Sequence, residues 1–428
     1  MKQTLISADS HITEPPDLYV SRVDAKYRDR VPHVVRNGER GDMFVMGDPL
    51  PPIPVGLIAA AGKDPIEIRT EGVKWEDMHR GGWDPVARLL EQDQDGVSAE
   101  LIYPTVGMMF CNHPDFELKR ACFRAYNAWL AEYCATAPNR LLGIGQIAMH
   151  DPLEAIADLE DMRRLGMRGV MLPGEPAQED YDSPLYDDFF RAAIEMRLPV
   201  SFHILTSRGK QYRGSALNGF MNTMRACQDV MGMLVFGGVF DRHPDLRVVS
   251  VEADAGWVPH YMYRMDHGYL RHRHHITPGK ELQRKPSEYV SENIYVTFQD
   301  DWTAFGAAKA GMINPQRVMW ANDYPHSDST WPWSQPLLAS QCDGMPREML
   351  ENILFRNVAA LYDIDLATIE QGKAELVPVA VGDEGVRGYN ASSVKNAGRL
   401  ADLPGMAAPV NFILAEETQA RWSAVRPE

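Results

Sequence analysis

Long apolar runs are missing from this sequence. Nowhere do about 18 apolar residues follow one another, so nothing in it reads as a membrane-spanning helix. Paired cysteines are missing too: Cys111, Cys122, Cys134, Cys227 and Cys342 are odd in number and scattered, without a C-x-x-C pair. That excludes a zinc-knuckle framework and fits reduced thiols. There is no basic excess, since 43 Lys and Arg against 59 Asp and Glu leave a net charge of -16. Such a balance argues against a nucleic-acid or anionic-membrane surface. No G-x-G-x-x-G follows a strand and no Walker-type loop occurs, so dinucleotide and ATP chemistry lack their phosphate cradle. The first residues enter an apolar stretch without a charged leader, from which a cytoplasmic protein is expected.

What is present suits a large soluble core. With 428 residues the chain has room for one α/β barrel or two to three smaller domains. From Asp84 onward a theme recurs: a helix-period segment, a short apolar run, then loop residues. Counting Thr4–Ala8, Glu100–Tyr103, Leu141–Ala148, Gly169–Leu172, Pro199–Ile204, Arg247–Val251, Asn293–Phe298 and Arg317–Trp320 gives eight strands alternating with helices. Mostly apolar strands of this kind predict a parallel sheet buried on both faces, and eight of them a closed (β/α)8 barrel of the TIM type. The barrel is expected over residues 1–370. Residues 33–82 form an insertion after the first strand, with a hairpin at Val34–Val35 and Met43–Met46 around Asn37–Gly41. Residues 371–428 break the theme and read as a C-terminal extension, with a short β-like run at Leu376–Val381. An insertion plus a long tail suggest a homo-oligomer, at least a dimer.

Barrel active sites lie at the C-terminal ends of the strands, and ligand-type residues recur there. Strand 1 ends in Asp9-Ser10-His11. Residues two apart on a strand point the same way, so Asp9 and His11 could aim at one cation. His203 lies in the apolar strand 5, where a lone histidine is either a satisfied core residue or a ligand; the pair on strand 1 favours the ligand. Strand 6 ends in Glu252 and Asp254, strand 7 in Gln299-Asp300-Asp301, and strand 8 in Asn322-Asp323-Tyr324-Pro325-His326. Asp323 would complete a mixed N/O set suited to Zn(II), Mn(II) or Fe(II). Glu14 is expected to cap the next helix or to support a ligand. His272, His274 and His275 are expected in a solvated loop beyond a helix end, and His260 at an exposed helix position.

Asp9-Ser10-His11, Ser201-Phe202-His203 and Asn322–His326, in this order, resemble the metal motifs of the amidohydrolase superfamily. Phe236–Arg247 and Ala255–Pro259 are similar to the branch that includes aminocarboxymuconate-semialdehyde decarboxylase and γ-resorcylate decarboxylase. The resemblance spans roughly residues 4–365. It implies that Asp9, His11, His203 and Asp323 bind one catalytic metal, with Asp323 also handling a proton. It departs from the branch in one place: where those decarboxylases carry a histidine after strand 6, this chain has Glu252. Glu252 is therefore a candidate general acid or base, or with His326 a ligand of a second metal.

The function expected is a metal-dependent hydrolase or decarboxylase acting on a small, cyclic or apolar carboxylate, amide or ester. The alternative is a dinuclear non-haem iron oxygenase on the same scaffold. Arg208, just after strand 5, could neutralise a substrate carboxylate. Tyr103 and Trp331 stand in Met- and aromatic-rich stretches from which an apolar substrate wall is expected.

Overall fold

The computed structural model describes residues 2–376 apart from 64–66, 208–212, 280, 343 and 370. Its core is a (β/α)8 barrel. The parallel strands are β1 (Ile6–His11), β2 (Ala99–Tyr103), β3 (Leu141–Gln146), β4 (Gly169–Leu172), β5 (Val200–His203), β6 (Val248–Val251), β7 (Ile294–Phe298) and β8 (Val318–Trp320), neighbours in chain order. Every residue in them is buried. Burial on both faces is why they read as continuous apolar runs.

The intervening helices start where the sequence supplies caps. Asp84, Asp115 and Asp151 each accept backbone N–H groups at the head of Pro85–Asp95, Phe116–Cys134 and Pro152–Arg164, two of them with proline at the first turn. The helix after β5 ends at Phe236, and Gly238, at φ +70°, starts a separate turn at Val239–Arg242. One helix differs from expectation. His272, His274 and His275 lie in the last turns of the helix Val258–Ile276, not in a loop beyond it. No glycine or proline falls between Gly268 and Pro278, so the helix runs on through the histidines.

At the seam, β1 and β8 end the ladder order and are joined by individual hydrogen bonds. Asp323 N donates to Asp9 O (3.0 Å) and His11 N to Tyr324 O (2.6 Å), and Asn322 N donates to Ser7 Oγ (2.9 Å). Facing β2, the register passes from Ser7–Glu100 to Ser10–Ile102, so β1 carries a bulge at Ala8 and Asp9. Bulges re-aim side chains beside active sites.

The insertion forms a small antiparallel sheet of His33–Val35, Met43–Val45 and Ile53–Pro54, with Phe44 and Met46 buried in the main core. Its inner end docks on the loop after β8. Ala61 N donates to Pro325 O (3.0 Å), and Gly62, at φ +72°, packs so closely that a Cβ would come 2.9 Å from the Trp331 ring. The last helical stretch, Arg347–Leu361 with a π segment at Asn352–Arg356, ends at Tyr362. Ala374–Glu375 pairs antiparallel with Lys2–Gln3. The β-like run expected at 376–381 lies outside the described residues but for Leu376, as does the remainder of the extension. No described helix is long and apolar enough to cross a membrane.

Candidate active site

Asp9 and His11 close β1, His203 is the last residue of β5, Glu252 follows β6, and Asp323 and His326 follow β8. Glu252 and Asp323 turn off their strands at φ +58° and +52°. That left-handed region is costly for residues with a Cβ and recurs at functional sites. All six side chains meet at one end of the barrel. His11 Nε2 lies 3.3 Å from Asp9 Oδ1, 3.2 Å from Asp323 Oδ1 and 3.7 Å from Glu252 Oε2. His203 Nε2 lies 3.5 Å from Asp9 Oδ1 and 3.4 Å from Glu252 Oε2.

The tautomers of the two strand histidines follow from their partners. His11 Nδ1 is 2.8 Å from Pro104 O and His203 Nδ1 is 3.1 Å from Ile204 O. A carbonyl only accepts, so each Nδ1 carries the hydrogen and each Nε2 presents a lone pair inward. Both Asp9 oxygens, Asp323 Oδ2, Glu252 Oε2 and the two Nε2 atoms are buried without a hydrogen-bond partner. Buried polar atoms normally find partners. A convergent group of acceptors facing no donor fits a divalent cation, and two imidazoles with carboxylates suit zinc, manganese or iron.

Charge in the cluster is strongly coupled. Burial opposes ionisation of Asp9, but His203 and His11 outweigh it and hold its carboxyl well below the usual range. Burial likewise opposes a charge on His11, yet with no cation between them Asp9 and Asp323 push its pKa up to about 10, so its Nε2 lone pair is offered only as a cation displaces that proton. Glu252 goes the other way: burial, then Asp323 and Asp9, raise its carboxyl well above the ordinary value. Beyond it, burial with Asp301 and Asp328 pushes Asp254 up to about 7.

His326 backs this set. Its ring stacks on His11 with centroids 3.9 Å apart. Its Nε2 lies 2.9 Å from Thr105 Oγ1 and its Nδ1 3.0 Å from Asp323 Oδ1. Burial, then His11, hold its pKa below the ordinary imidazole value. Against burial, His326 and His11 hold the Asp323 carboxyl below its own, so a neutral imidazole donates from Nδ1 to the carboxylate. Thr105 is held in turn by Glu14, whose carboxylate accepts from Thr105 N, Val106 N and Gly107 N at 3.1, 3.0 and 2.9 Å. Glu14 thus caps the short helix Val106–Phe110 after β2, not the next helix along the chain.

The remaining candidates lie elsewhere. Tyr103 is fully buried, its ring 5.4 Å from that of His203, and its hydroxyl meets Tyr362 Oη at 3.4 Å. It packs against the ligands with its polar end turned to another tyrosine. Trp331 packs on His79 and Tyr324, ring centroids 5.0 and 5.4 Å away, and donates its indole N–H to Glu91 O. It anchors the insertion. Arg208 lies outside the described residues. His260 is exposed. The pattern-based reading missed Thr105 and Arg88.

A barrel carrying histidines and carboxylates at its strand ends defines a metal-dependent enzyme of the amidohydrolase type. The amidohydrolase family model matches residues 30–364, and the chain belongs to that family. The match begins after Asp9 and His11, which the fold brings to the site. A γ-resorcylate decarboxylase from Rhizobium sp. (strain MTP-10005) is 27% identical over 216 residues, covering 47% of this chain and 65% of that enzyme. Among solved structures, an amidohydrolase from Mycobacterium avium subsp. paratuberculosis superposes with a TM-score of 0.67 at 20% identity, over 85% of this chain and 100% of the other. A 5-carboxyvanillate decarboxylase from Novosphingobium aromaticivorans, complexed with manganese, gives 0.61 at 19% identity, over 84% and 96%. At these identities the two structures share the fold.

Proposed function

We propose that this enzyme removes carbon dioxide from a small aromatic or otherwise cyclic carboxylic acid, using one zinc or manganese ion held by Asp9, His11, His203 and Asp323. The observation that carries the reading is the set of buried, unpartnered Asp, His and Glu atoms in two overlapping groups, Asp9-His11-His203-Glu252 and His11-Glu252-Asp323-His326, which share His11 and Glu252. Its support among relatives is the likeness to γ-resorcylate decarboxylase. A divalent ion in such a set supplies positive charge beside substrate oxygens and lowers the pKa of bound water toward about 7.

The chain's own residues handle the proton. Glu252 Oε2 faces the centre without a hydrogen-bond partner and delivers a proton to the carbon that bears the carboxylate. The C–C bond breaks, its electron pair stays on that carbon and takes up the proton, and carbon dioxide leaves. Glu252 regains its proton from solvent. His326 holds the Asp323 carboxylate in place through its Nδ1, and Thr105 holds His326. This reading replaces the dinuclear-iron oxygenase, which no relative named above supports.

The test is carbon dioxide release from hydroxybenzoates such as γ-resorcylate and 5-carboxyvanillate by the metal-loaded enzyme. Release that stops with a chelator and returns with manganese or zinc supports decarboxylation. Cleavage of an amide or ester without carbon dioxide from any acid would replace it with hydrolysis.

A further inference from the structure

Helix Pro85–Asp95 carries a guanidinium that the chemistry above does not use. Arg88 is fully buried, a rare state for arginine unless paired. Its Nε donates to Glu100 Oε2 on β2 at 2.6 Å. Its Nη1 donates to His11 O at 2.7 Å, and its Nη2 to Ser10 Oγ at 2.9 Å and Tyr324 O at 3.5 Å. The guanidinium also lies 4.4 Å from the centre of the Tyr324 ring. One planar group therefore touches β2, the end of β1 and the residue next to Asp323.

These contacts fall where regular pairing fails. β1 leaves the β2 register at its bulge between Ser7 and Ser10, and β8 meets β1 through individual bonds. Glu100, which also accepts from Gln92 Nε2 (2.8 Å) and Asn322 Nδ2 (3.3 Å), ties the same guanidinium to the β8 end. Three of the four proposed ligands, Asp9, His11 and Asp323, stand on the two strand ends so joined.

We propose that Arg88 is a positioning residue for the metal centre: its fork fixes the spacing of the β1 and β8 ends and thereby of His11 and Asp323. A lysine cannot substitute, because one ammonium does not present a rigid planar set of donors to Glu100, Ser10 and the His11 carbonyl together. The proposal rests on the metal reading above.

The experiment titrates metal-free enzyme with Co(II), following its visible absorption, and records the melting temperature of the metal-free form alongside. Two variants are compared with the wild type. Arg88→Lys keeps the charge opposite Glu100. Arg88→Met with Glu100→Gln removes both charges together, which cores tolerate better than removing one. We expect Co(II) to bind about 10- to 100-fold more weakly, the usual effect of losing a group that orients ligands. We also expect an altered visible spectrum, with the metal-free melting temperature of at least one variant close to wild type. A folded variant with unchanged Co(II) affinity and spectrum would overturn the role of Arg88 alone. Failure of the wild type to bind Co(II) would overturn the metal reading itself, and this proposal with it.

Discussion

Glu252 Oε2 stands 3.4 Å from His203 Nε2, the two brought together at the ends of the neighbouring strands β5 and β6. If Glu252 is the proton donor, its carboxyl group is needed for turnover and dispensable for holding the ion. We expect Glu252→Gln to keep its metal and to lose about 100-fold or more in kcat, the range for a positioned acid or base. Metal analysis and steady-state kinetics on one preparation decide it. A variant that loses its metal would make Glu252 a ligand instead.

Thr105 fixes His326 through a single hydroxyl. Thr105→Val keeps the shape and removes the hydroxyl partner of His326 Nε2, freeing the ring to turn away from Asp323. We expect about a tenfold loss in kcat, with Thr105→Ser near wild type and the melting temperature of both little changed. Equal activity in Val and Ser variants would show that the hydroxyl has no part in holding His326.

Asp95 makes stability fall with pH. Burial pushes its carboxyl up to about 7, against the hydrogen bonds from Ser334 and Asn322. A carboxyl that binds its proton more tightly in the folded state stabilises the fold below its unfolded pKa of about 4. That contribution is lost as pH rises through 7. The shift corresponds to a change on the order of 4 kcal/mol. We expect Asp95→Asn to remove this slope between pH 4 and 7 and to gain on the wild type as pH rises. Parallel unfolding free energies across that range would refute it.

The strand ends were legible in the sequence for a physical reason. Strands buried on both faces leave apolar runs, and a charged or imidazole side chain at the end of such a run stands out. That is how Asp9, His11, His203, Glu252, Asp323 and His326 stood out, together with Asp254, Asp300 and Asp301; the resemblance to the amidohydrolase metal motifs was what singled out Asp9, His11, His203 and Asp323 among them. Arg88 was hidden because its helix is inverted: Arg88, Gln92 and Asp95 are buried while Val86 and Leu90 are 60% and 68% exposed. Hydrophobic periodicity points such a helix the wrong way. The only signal was the polar spacing of 88, 92 and 95 on one face. Glu14 and Thr105 were hidden differently, since their partners, the Val106–Phe110 helix head and His326, are remote in the chain.

The most direct measurement is the metal content of the native protein beside that of His203→Ala. We expect about one equivalent of zinc or manganese in the native enzyme, with both metal and activity lost from the folded variant. A native protein without a stoichiometric divalent ion, or a folded His203→Ala that retains a full equivalent, would contradict the convergence of these side chains on a single cation.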